Sequence, residues 1–282
     1  MLTGIHRQHD IARGTRICMT AHSQLSRAPH AVRRYVLAVS QEVVTVFGGA
    51  LVGVYTTGSL ALGGFTPGRS DIDLMAAVDG PERPEACLDL AARLDHRRLP
   101  CPASGLEFVL YPRAIVTTPS TDAGYLLNLN TGPELAPVAD LGSSSVPAFW
   151  FVLDRAVTVQ SGEAVIGPPA QTLFRVPPAQ QLLPVVLAAV EAQKQDRSDL
   201  SDNVVLNACR ALRFAEDRRW YSKVAAGLRT AATPGPFTGL IHTALATHAQ
   251  GRHAAPALAT PAVDAFLSHV QARLEEAMNT AV

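Results

Sequence analysis

The chain has 282 residues, 48% of them apolar and 17% charged, with 24 basic side chains against 24 acidic ones. That length and apolar content suffice for two packed domains or one large one, and the balanced charge disfavours a duplex-nucleic-acid binder, which normally carries a basic excess. Four scattered cysteines (Cys18, Cys87, Cys101, Cys209) without a C-x-x-C pair give no sign of a zinc site or a disulfide framework.

No apolar run reaches the ~18 residues of a membrane span, and no leader pattern opens the chain, so a cytoplasmic location is expected. Residues 1–28 are polar and aperiodic and read as an N-terminal arm, its first 18 residues an over-long start or a disordered segment. From Pro29 onward, Val32, Val36, Val39, Val43 and Val46 recur at helical spacing, predicting an amphipathic helix ended by Gly48-Gly49. Leu51 to Thr56 is a β-branched-rich strand feeding a tight turn at Gly58-Ser59.

After a glycine-rich stretch, Ser70-Asp71-Ile72-Asp73-Leu74-Met75 alternates. Asp71 and Asp73 then share one face of a second strand while Ile72 and Leu74 face the core. Two carboxylates so placed can hold a hard divalent cation if something relieves their repulsion. The Gly-Ser turn offers N–H groups and a hydroxyl for phosphate. Each half alone is commonplace, as a solvated D-x-D or an ordinary turn; their combination describes a metal–triphosphate site.

Cys87, Leu90, Ala91 and Leu94 mark a further helix, and Leu106 to Tyr111 a third strand. Glu107 is the only charge on that strand. By itself it reads as a residue on a wet sheet face; beside Asp71 and Asp73 it completes a three-carboxylate cluster for phosphoryl transfer. Residues 112–149 show no periodicity, and a structureless stretch of that length is often functional. There Tyr125, Asn128, Asn130 and Thr131 can contact a sugar-like substrate, or Asn130-Thr131-Gly132-Pro133 is simply a surface turn. Phe149 to Leu153 reads as a strand or the start of a helix.

Gly167-Pro168-Pro169 and Pro177-Pro178 mark a domain boundary. Beyond it, stripes at Leu183, Val186, Leu187, Val190 and at Val205, Ala208, Cys209, Leu212 predict helices. Ser222 is the expected N-cap of a helix from Lys223 to Ala231, and Thr260-Pro261 the N-cap and first residue of another carrying Val263, Phe266, Leu267, Val270 and Leu274. Four or five such helices make a bundle. The expected division is an arm over 1–28, a domain over 29–168 and a helical domain over 169–282.

The strand, Gly58-Ser59, then Ser70-Asp71-Ile72-Asp73-Leu74 resembles the nucleotidyltransferase superfamily that includes DNA polymerase β. Asp202-Asn203-Val204-Val205-Leu206-Asn207-Ala208-Cys209-Arg210, Trp220-Tyr221-Ser222-Lys223 and Ala164-Val165-Ile166-Gly167-Pro168-Pro169 are similar to the aminoglycoside (3'')(9) adenylyltransferases, over most of residues 30–275. That resemblance implies an α/β fold, a nucleotidyltransferase domain with a mixed sheet followed by a C-terminal helical bundle. It also implies ATP and Mg²⁺ as cofactors, with AMP passed to a hydroxyl of an aminoglycoside or aminocyclitol.

By the same resemblance, Gly58, Ser59 and Ser70 contact phosphates, Asp71 and Asp73 bind magnesium, and Glu107 binds metal and acts as base. Arg210 and Lys223 match a basic pair whose lysine reaches the ATP phosphates. The tryptophan and aspartate that grip the antibiotic have no strict counterpart: Leu200 stands at the aspartate's place, with Asp196, Asp199 and Asp202 nearby, and Tyr125 is the nearest aromatic. Tyr125, Asp199 and Asp202 are therefore the expected contacts of a small polycationic or sugar-like substrate. A nucleotidyltransferase acting on a sugar metabolite, tRNA or protein, or a non-catalytic nucleotide-binding module, stays open. Neutral charge argues against an RNA partner and the complete carboxylate set against a catalytically silent module.

Overall fold

The computed structural model describes residues 10–11, 15–16, 23–142, 146–195, 200–251 and 257–280. The chain divides into two compact units, Met1–Ala148 with Asp154–Val176, and Phe149–Leu153 with Pro177–Val282.

In the first unit, α1 (His30–Phe47) buries Val32, Val36, Val39 and Val43 along one face. Gly48 stops it at φ 52°, its N–H returning to the Val44 carbonyl, a left-handed position that glycine tolerates at no steric cost. Strand β1 (Leu51–Thr56) pairs antiparallel with β2 (Ile72–Val78). Helix α2 (Pro84–Leu94) then carries the chain to β3 (Leu106–Pro112), which lies parallel to β2. Strands β4 (Leu127–Thr131) and β5 (Val138–Asp140) add antiparallel, and after α3 (Ala148–Ser161) the short β6 (Ala164–Ile166) closes the other edge against β1. The sheet order is β5-β4-β3-β2-β1-β6.

Alternation decides the two faces of this mixed sheet. Ile72, Leu74, Leu106, Phe108 and Leu110 join Val36, Val43 and Leu90 in one apolar core. Each such side chain contributes roughly 1.5–3 kcal/mol on burial. The opposite face carries Asp73, Met75, Glu107 and Tyr111. Helix α3 covers part of it: Thr158 donates to Met75 Sδ at 3.4 Å, and the Arg155 guanidinium lies 5.3 Å from the Tyr111 ring centre. The carboxylate end of that face is left for chemistry.

One expectation changes here. The stretch 112–149 contains β4 and β5 rather than a long loop. Leu127-Asn128-Leu129-Asn130 does alternate, but over too few residues and with strand-averse asparagines, and pairing with β3 overrides propensity. Of the two readings of Phe149 to Leu153, the start of a helix is the one the structure takes.

The second unit is built on five helices among its described residues: α4 (Ala179–Gln195), α5 (Ser201–Asp217), α6 (Lys223–Ala231), α7 (Thr238–Ala249) and α8 (Thr260–Asn279). Helix α5 is central and packs on the other four. It therefore buries nearly its whole circumference, from Val204 and Val205 through Ala208, Cys209 and Leu212 to Phe214. Helix α7 gave no sequence stripe because its apolar residues are spread round its surface; Ile241 and Ala244 are the ones that pack inward. The cap of α8 is Ala259, with Thr260-Pro261 already in the first turn, a shift of one residue from expectation. Among the described residues no helix is long and apolar enough to cross a membrane.

Candidate active site

Everything at the site follows from how β1 hands over to its turn. The Thr57 N–H bonds to the Asp73 carbonyl at 3.1 Å, extending the β1–β2 pairing by one residue. Gly58 then takes φ +53°, and a Cβ there would stand 2.0 Å from Asp73 Oδ2. No other residue fits between this backbone and that carboxylate. Ser59 follows in a short helical turn, Gly58–Ala61, and its N–H donates to Asp73 Oδ2 at 3.2 Å. The Ser59 hydroxyl oxygen is buried and has no hydrogen-bond partner within the protein, which leaves it able to bond a bound group or a water.

Asp73 and Glu107 occupy opposing positions in the parallel β2–β3 register. Asp71 precedes β2 on the same side, and one oxygen from each of Asp71, Asp73 and Glu107 lies within 4.8 Å of the others, all three half-buried. Burial raises the Asp73 carboxyl well above its usual range, and the charges of Asp71, Glu107 and Asp154 raise it further, against the Ser59 N–H. An all-oxygen set held this close fits a hard divalent cation such as Mg²⁺, which would remove the repulsion.

Ser70 sits at the end of the intervening loop. Its hydroxyl accepts the Thr66 N–H at 3.0 Å and its N–H bonds to the Thr66 carbonyl at 2.9 Å. Its first role is thus to shape the loop that delivers Asp71. Asp154 was not found from sequence. It lies on α3, its carbonyl accepting the Thr57 hydroxyl at 3.2 Å, and only a tertiary contact of this kind brings it near Asp73.

Arg210 and Lys223 belong to the second unit. Arg210, on α5, donates through Nε to the Tyr221 carbonyl at 3.0 Å. That bond holds the segment whose next residue, Ser222, caps α6 by accepting the Ala225 N–H at 3.3 Å. Lys223 is the first residue of α6, two residues beyond the carbonyl that Arg210 holds.

The expected acceptor contacts fare differently. Asp202 is 1% exposed and its Oδ2 lies 3.2 Å from His248 Nδ1 on α7. It is an internal partner of the bundle and is not presented to a substrate amine. Tyr125 is likewise buried and donates its hydroxyl to Asp140. Asn128 is buried, and Thr131 Oγ1 accepts the His96 N–H at 2.8 Å, so both serve the sheet and its connections. Asp196 and Asp199 lie outside the described residues.

Residues 38–101 match the family described as nucleotidyltransferase domain, and residues 172–273 the family described as aminoglycoside adenylyltransferase, C-terminal domain. Among solved structures, the chain is similar to spectinomycin adenyltransferase AAD(9) from Enterococcus faecialis, solved with ATP and spectinomycin. The TM-score is 0.63 at 15% sequence identity, over 86% of this chain and 98% of that one, a likeness of fold. No curated protein matches the sequence. With a nucleotidyltransferase domain at one end and an aminoglycoside adenylyltransferase C-terminal domain at the other, the chain is an enzyme, an aminoglycoside adenylyltransferase-like nucleotidyltransferase.

Proposed function

We propose that the protein transfers AMP from ATP to a hydroxyl of an aminoglycoside or aminocyclitol, of the streptomycin or spectinomycin kind, releasing pyrophosphate with Mg²⁺ as cofactor. The observation that carries this reading is the convergence of Asp71, Asp73 and Glu107 beside the Gly58-Ser59 turn. It is supported by the two domain matches, and by a structural neighbour that was solved with ATP and spectinomycin.

Each residue then has a physical task. Asp71 and Asp73 would hold Mg²⁺, with Glu107 completing the set; the cation would supply positive charge to offset the triphosphate and Lewis acidity toward its phosphoryl oxygens. Glu107 takes the proton of the acceptor hydroxyl as its oxygen attacks. The Ser59 hydroxyl, orphaned in the structure, donates to a phosphate oxygen, and Ser70 does so after shaping its loop. Lys223 and Arg210 are assigned to the leaving pyrophosphate, where negative charge grows. With Asp202 engaged internally, Asp199, with Asp196 beside it, is the acidic candidate for an acceptor ammonium.

The test is pyrophosphate release with ATP and Mg²⁺ over a panel of streptomycin, spectinomycin, neutral sugars and tRNA. Release that depends on streptomycin or spectinomycin is expected. Release driven only by a neutral sugar or by RNA would overturn the acceptor assignment and leave the nucleotidyltransferase.

A further inference from the structure

Upstream of α1, Gln24–Arg27 forms one helical turn capped by Ser23, whose hydroxyl accepts the Ser26 N–H at 3.0 Å. The N–H groups of Gln24 and Leu25 both go to the carboxylate of Glu163, that of Leu25 at 3.1 Å. Glu163 is itself pinned to the end of β1: the Thr56 N–H donates to its carbonyl at 3.0 Å, and its own N–H to Thr56 Oγ1 at 3.2 Å. The residue before it leaves no latitude. A Cβ on Gly162 would meet the Thr158 carbonyl at 2.6 Å and the Thr56 carbonyl at 2.9 Å.

On its other side the same turn meets the nucleotide-binding segment. Leu25 and Leu60 are both buried in the core of the first unit. The Gln24 amide oxygen lies 3.0 Å from the place a Gly63 Cβ would take, with Gly63 at φ +66°. The next residue, Gly64, donates its N–H to the Ser59 carbonyl at 2.9 Å. Contacts therefore run without a break from Glu163 through Gln24 and Leu25 to the segment Gly58–Gly64.

We propose that Glu163 is a positioning residue for nucleotide binding, acting through the Gln24–Arg27 turn to fix the geometry of Gly58–Gly64. The inference rests on reading Gly58-Ser59 as the phosphate-contacting turn. An isolated turn of this length has no stability of its own. A carboxylate bonded to its first free N–H groups supplies charge-assisted bonds at the positive end of the turn, where they are strongest. The segment Ser23–Ala28, expected to be part of a polar N-terminal arm, then belongs to the scaffold of the site.

The experiment compares the full chain with Glu163→Gln, with Gln24→Ala, and with chains beginning at Ser23 or at Pro29. Glu163→Gln and the Pro29 start should raise the KM for ATP roughly tenfold through loss of the charge-assisted bonds. The kcat at saturating ATP and the acceptor KM should stay within about threefold. The Ser23 start should behave as the full chain. Amide hydrogen exchange across Gly58–Gly64, measured without nucleotide, should quicken in the same variants. Should Glu163→Gln fail to fold, Gln24→Ala, which keeps both N–H bonds, must still raise the KM for ATP and quicken exchange. A lowered Tm with unchanged exchange at Gly58–Gly64 and unchanged KM for ATP would overturn the proposal and make Glu163 a plain staple. If the full chain fails to bind ATP, the reading of the site is wrong, and the exchange data still decide whether Glu163 orders the segment.

Discussion

Asp73 and Glu107 face each other in register across the parallel strands β2 and β3, with Asp71 completing a cluster whose oxygens approach within 4.8 Å. A parallel pair repeats its register along its length, so placing one acid fixes the place of the other. The repulsion stored there makes the site sensitive to both metal and protons.

The first prediction concerns that repulsion. The Asp73 carboxyl is raised above its unfolded value, chiefly by burial and then by Asp71, Glu107 and Asp154. A group raised on folding contributes stability that is full below the unfolded value and lost as pH rises through the folded one. Metal-free protein should therefore melt lower as pH climbs above the carboxylate range, and Mg²⁺ should restore the Tm. Asp73→Asn should raise the metal-free Tm at neutral pH, abolish the Mg²⁺ response and stop turnover. Calorimetry with and without Mg²⁺ across pH reads all three.

Gly58 admits no side chain. Gly58→Ala forces a Cβ into a left-handed backbone and against the Asp73 carboxylate, 2.0 Å from Oδ2. We expect a loss of roughly 1–3 kcal/mol in stability, with turnover falling further than stability alone explains. Denaturant unfolding set beside steady-state rates separates the two effects.

Glu107→Gln keeps size and loses the proton acceptor. The rate should drop by roughly 10²–10⁴-fold. ATP affinity should be partly retained because the Gly58-Ser59 turn is untouched. Kinetics indistinguishable from the parent would return Glu107 to an ordinary wet-face residue.

Asp202 makes the contrary case. Asp202→Ala leaves His248 without its buried partner and should cost about 1–3 kcal/mol of stability. The acceptor KM should hardly change. A large rise in that KM with the Tm intact would show that Asp202 does meet the substrate.

The sequence carried the carboxylates plainly because strand alternation and the Gly-Ser turn are local patterns: Asp71, Asp73 and Glu107 declare themselves within a few neighbours. The valine stripe of α1 and the Ser222 cap were legible for the same reason. What could not be read depends on contacts distant in sequence. Nothing near Asp202 foretells that His248 will close on it, nor near Tyr125 that its hydroxyl will reach Asp140. Leu127–Thr131 became a strand through pairing with β3 rather than through its own residues. Nothing near Glu163 foretells its bonds to Gln24 and Leu25, which alone give it a place.

The most direct measurement is mass spectrometry of spectinomycin and streptomycin after incubation with ATP, Mg²⁺ and either the parent or Asp73→Asn. The predicted result is an AMP adduct of a drug with the parent and none with the folded variant. An adduct formed equally well by Asp73→Asn would contradict the assignment of the Asp71, Asp73 and Glu107 cluster as the centre of transfer.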